Sequence, residues 1–85
     1  MIIREFNLID PRNRGKEEEI KERFIEIFKS VREPVVFHRS TPTEDYVAFK
    51  QKGGVVEYRL IAPWNECLSV KCDLKEIKRR ENERN

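Results

Sequence analysis

YVAFKQKGGVVEYRLIA, residues 46–62, decides the sheet. Apolar and polar side chains alternate on both sides of Lys52-Gly53-Gly54, which is the two-residue period of half-buried strands. Paired glycines supply the positive φ that a tight hairpin needs. Strands are therefore expected over 46–51 and 55–62. Just upstream, VVFHR at 35–39 reads as another strand and STPTED at 40–45 as a loop.

Further upstream the period changes. Ile20, Phe24, Ile27, Phe28 and Val31 recur at i, i+4, i+7, i+8 and i+11, a single apolar stripe that predicts a helix over 17–31. Glu17, Glu18 and Glu19 stand at its positive end, with Lys29 and Arg32 at its negative end. Pro34 disfavours helix at Glu33 and stops the element. Residues 2–9 read as a first strand, ended by the turn chemistry of DPRNRG at 10–15. Downstream, PWNE at 63–66 breaks the chain and 68–72 reads as a last strand. Asp73 with Glu76 forms a capping-box pattern for a short helix. Only Leu74 and Ile77 are apolar there, so 78–85 is expected to be a frayed, charged tail.

The order β-α-β-β-β-β describes an α+β fold in one domain over 1–77, with no second domain. It implies an antiparallel meander of about five strands with the long helix on one face. Strand parity directs Phe37, Val47, Phe49, Val56, Tyr58, Leu60, Leu68 and Val70 toward the helix. His38, Ser40, Tyr46, Lys50, Glu57, Arg59 and Lys71 then share the open face.

Composition sets the limits. Eighty-five residues make one small domain with a thin core. Charged residues are 40% of the chain and no long apolar run occurs, which excludes a transmembrane helix and a membrane partner. Eighteen basic and 16 acidic side chains nearly cancel, and five Phe, two Tyr and one Trp sit in periodic segments, which argues against disorder. Residues 1–33 hold eight charges of each sign, whereas 74–85 hold five basic and three acidic, so the whole excess belongs to the tail. Met1 leads into Ile-Ile-Arg-Glu without a signal-peptide pattern. Dense Glu and Lys with one Gln is a thermophile's compositional lean. In a strand, Cys67 and Cys72 would lie about 16 Å apart, beyond disulfide reach. Two reduced thiols suit a cytoplasmic protein.

Catalytic chemistry finds little support. His38 is the one histidine, and the sequence places no Ser/Asp or Cys partner beside it. With Cys67 and Cys72 it supplies three potential zinc ligands, but the spacing lacks a knuckle and parity separates the thiols. No metal and no cofactor are expected. Gly53-Gly54 is too short to be a phosphate loop. What remains is the open face. Sheets that bind single-stranded DNA or RNA combine rings for stacking with cations for phosphate. His38, Tyr46, Lys50, Arg59 and Lys71, with Lys52 at the turn and Lys78-Arg79-Arg80 in the tail, have the right types for a non-catalytic nucleic-acid-binding accessory protein. The alternative is a protein-interaction module or homodimer, for which Val36, Val55, Ile61 and Trp64 are the candidate contacts.

With its early helix, meander and sheet-borne Lys50, Arg59 and Tyr46, the chain resembles the RelE-like mRNA-cleaving toxins in element order. One helix stands where those toxins carry a pair, and no motif specific to them is present. The resemblance implies a ribonuclease in which Lys50, Arg59 and Tyr46 serve phosphate contact and proton transfer.

Overall fold

A computed structural model describes residues 2–31, 36–51 and 53–83. Strand β1 (Ile2–Asn7) leads through a short 3-10 turn at Pro11–Asn13 into helix α1 (Glu17–Ser30). Three strands follow, β2 (Val36–Ser40), β3 (Glu44–Lys50) and β4 (Val56–Pro63), and then helix α2 (Glu66–Glu83). The expected α+β class is present. The sheet has four strands in the order β1-β4-β3-β2.

Three expectations are corrected. The sheet is mixed, because β1 pairs parallel with β4 while β2-β3-β4 is antiparallel. The expected last strand at 68–72 lies inside α2. LSVKC alternates like a strand, but Cys67, Val70 and Leu74 fall at i, i+3 and i+7 and are all fully buried. A 3.6-residue period extends downstream to half-buried Ile77, which a two-residue period cannot do. Asn65 turns the chain at φ 84°, and the Ser69 N–H donates to the Asn65 carbonyl at 3.3 Å, the first bond of the new helix. Residues 78–83, expected as tail, continue that helix.

The hairpin forms as read. Gly53 and Gly54 take φ of 92° and 70°, a left-handed pair that side chains resist, and the Gln51 N–H reaches the Val56 carbonyl at 2.9 Å. The first turn of α1 carries its three glutamates, and the Glu17 carboxylate accepts from the Gly15 N–H at 2.9 Å.

Both helices cover the same face of the sheet. α1 lies over β1 and β4, and α2 lies over β3 and β4. Phe24 and Phe28 from α1 meet Phe49 edge-on, each at 5.2 Å between centroids, while Phe6 meets Phe24 at 5.7 Å. Such pairs contribute about 0.5–1.5 kcal/mol each beyond their buried area. Leu8, Val31, Val47, Leu60, Ala62, Cys67, Val70 and Leu74 complete the core. The Lys78 ammonium donates to the Val31 carbonyl and lies 5.2 Å from the Phe28 ring, tying α2 to the end of α1. No helix among the described residues is long and apolar enough to cross a membrane.

Candidate functional site on the open sheet face

Among the described residues no helix covers the opposite face of the sheet. Register places its side chains in rungs across the strands. Arg39, Tyr46, Ile61 and Asn7 form one rung, and Phe37, Ala48, Arg59 and Glu5 the next. Lys50, Glu57 and Ile3 follow. Tyr46 stands near the centre. The Arg39 and Arg59 guanidinium carbons lie 5.9 and 5.7 Å from its ring centroid, and Phe37 lies 5.6 Å away with its plane tilted by 40°. Ala48, between Phe37 and Arg59 in its rung, is fully buried, so rings and guanidinium close over a methyl group.

The electrostatics are mixed. Arg59 Nε donates to the buried Glu57 carboxylate, which fixes the guanidinium against Tyr46. Arg39 is exposed and, among the described residues, has no carboxylate within ion-pair distance. Burial pushes the Tyr46 phenol up despite the opposing pull of Arg59 and Arg39, so its hydroxyl stays protonated at neutral pH.

Of the residues expected on this face, Tyr46, Lys50, Glu57 and Arg59 are there. His38 and Ser40 are not. In β2 the apolar residues occupy both parities, and the strand turns Val36, His38 and Ser40 toward the helices and Phe37 and Arg39 outward. Sequence reasoning therefore missed Phe37 and Arg39, and no periodic signal in VVFHR distinguishes the two settings. Lys71, Lys78, Arg79 and Arg80 lie on α2, across the sheet from Tyr46, and Arg80 pairs with Glu76 at 3.0 Å. Lys52 lies outside the described residues.

His38 instead meets a buried carboxylate. Asp45 is fully buried; Ser40 Oγ donates to its Oδ1, and the Asn65 N–H donates to its Oδ2 at 3.3 Å. His38 Nε2 lies 3.2 Å from Oδ1 but is not aligned for a hydrogen bond. Burial alone would push the Asp45 carboxyl up, yet Ser40, the Asn65 N–H and His38 together hold it below the ordinary carboxylate range. The Cys67 thiol donates to the Asp45 carbonyl at 3.1 Å, and burial pushes it up to about 12. This is not a nucleophile's geometry, because the Ser40 hydroxyl is engaged by Asp45 and not by His38. It fastens the β2–β3 turn to the start of α2. Cys72 is exposed, away from buried Cys67, and among the described residues no three His, Cys, Asp or Glu side chains gather as metal ligands.

Comparison with known protein families, curated proteins and solved structures finds no match.

Proposed function

We propose that the open sheet face binds single-stranded nucleic acid without breaking a bond. The observation that carries this is the Tyr46 ring, flanked by the guanidiniums of Arg39 and Arg59, with the exposed Phe37 ring beside it. Bases stack on such rings whatever their identity, and exposed Arg39 meets phosphate. Glu5 and Glu57 on the same face limit the pull of charge, so stacking leads and the salt dependence is shallow. Two free cysteines fit a reducing compartment such as the cytoplasm.

Fluorescence anisotropy with labelled oligouridylate and oligothymidylate across a salt series tests the face. Micromolar binding is expected. Arg39→Ala should flatten the logarithmic salt slope by about 1. Phe37→Ala should cost about 1–3 kcal/mol at every salt concentration. No binding at low salt, or binding that neither change weakens, rejects the reading.

Self-association is the second reading, favoured by Phe37, Ile3, Val55 and Trp64, which are exposed by 43%, 48%, 61% and 55%. Val55 and Trp64 flank β4 at its two ends, about 30 Å apart along the strand. Sedimentation as a strict monomer at micromolar concentration removes it.

A further inference from the structure

β1 is an edge strand whose pairing is with β4. The Ile2 N–H donates to the Val55 carbonyl at 3.0 Å and the Leu8 N–H to the Ile61 carbonyl at 2.8 Å. Two-residue alternation puts the main-chain groups of Arg4 and Phe6 on that same side and turns those of Ile3, Glu5 and Asn7 outward. Asn13 Nδ2 donates to the Asn7 carbonyl at 2.7 Å and closes one end of the row. The N–H and C=O groups of Ile3 and Glu5 form the open stretch. Edges are usually blunted by charged side chains, Lys above all, by Pro, by a bulge or by a cover. IIREFN carries Arg4 and Glu5 but neither Lys nor Pro, and its register with β4 runs from Ile2 to Asn7 without a bulge.

Beside this edge an open groove of about 530 Å³ separates β1 from α1, lined on its apolar side by Phe6, Ile27 and Tyr58 and on its charged side by Arg4 and Arg23. Among the described residues neither of these guanidiniums has a carboxylate within ion-pair distance. Glu5 lines the same groove from the open face of the sheet. A second recess of about 240 Å³ shares Phe6 and Arg23 and adds Ile20, Lys16 and Glu19.

We propose that β1 receives an extended segment of a partner protein as an added strand, with an apolar side chain over Phe6 and Ile27 and an Asp or Glu between Arg4 and Arg23. Main-chain bonds to Ile3 and Glu5 hold the strand, and the groove reads alternate side chains. A second copy of this chain fits poorly. Antiparallel self-pairing centred on Arg4 or on Glu5 sets Arg4 against Arg4 or Glu5 against Glu5, and centred on Ile3 it engages only the Ile3 groups among the described residues. Like charges directly opposed are destabilising. Ile3 and Glu5 border the aromatic face, but the groove lies on the helix side of the sheet, so Arg23→Glu tests this proposal and Phe37→Ala tests the nucleic-acid reading.

The probe is a blocked synthetic peptide of repeating threonine-valine-threonine-glutamate, which sets valine and glutamate two residues apart on one face of a strand, with lysine in place of glutamate in its control. Titrated into the full-length isotope-labelled chain, the glutamate peptide should bind and slow hydrogen exchange at the Ile3 and Glu5 amides. The control should leave them unchanged. Arg23→Glu, a change on the exposed helix surface, should weaken the glutamate peptide by about tenfold or more and favour the lysine peptide. Ile3→Pro, which removes one outward N–H and no bond to β4, should weaken both pairings while circular dichroism stays native. Absence of binding at millimolar peptide, or binding without protection of Ile3 and Glu5, overturns the proposal. So does a dimer of the chain alone that protects those same amides.

Discussion

Asp45 joins two turns through its side chain, and its substitution should be felt at both. Removing the carboxylate strands the Ser40 hydroxyl and the Asn65 N–H. Asp45→Ala should therefore cost about 1–3 kcal/mol in urea unfolding at pH 7. Its folded-state carboxyl lies below the ordinary value, so the unfolded chain takes up the proton first as pH falls. The contribution of Asp45 is then complete above about pH 4 and fades as pH drops through the folded value. The stability gap between the native chain and Asp45→Asn should close on acidification over that window. The thiols give a second residue-scale test. Buried Cys67, raised to about 12, should resist a disulfide reagent in native buffer and react in urea, while exposed Cys72 reacts in both. Little of this was legible in the sequence. Asp45 lies in STPTED, which reads as a loop, and its role depends on Asn65 and Cys67 twenty or more residues away.

At the scale of elements, α1 and the β3–β4 hairpin were readable because each carries one unambiguous period. α2 was not. Leu68, Val70 and Cys72 satisfy a period of two, and Cys67, Val70 and Leu74 satisfy a helical period. Within five residues both fit, and the breaker at 63–66 suits either element. Burial separates them: Leu74 is fully covered and Cys72 is exposed. Leu74→Ala should cost about 2–5 kcal/mol, whereas Cys72→Ser should stay within about 0.5 kcal/mol of the native chain. Chemical denaturation of the two variants checks this. Equal losses would reject the helical packing. The open face shows the same limit, since Tyr46, Lys50 and Arg59 follow from a clear hairpin and Phe37 and Arg39 sit in a strand with apolar side chains at both parities.

At the scale of the whole molecule, turn signals announce neighbours in sequence and are silent on distant ones. β2, β3 and β4 follow as a meander, but nothing local reveals that Ile2 pairs with Val56. The resulting order leaves β3 and β4 paired on both sides. Native-state hydrogen exchange should find their amides slowest, with the outward amides of Ile3 and Glu5 near solvent rates in the unliganded chain. The same order has a consequence for synthesis. β1 leaves the ribosome before its partner, and the parallel ladder stays unmade until β4 has been translated. The three antiparallel strands close over short turns, whereas β1 must span more than fifty residues of chain, the costlier closure. During that interval Ile2 and Ile3 are exposed with no strand to hold them, and a nascent chain stalled before β4 offers a bare apolar strand to chaperones and to other copies of itself.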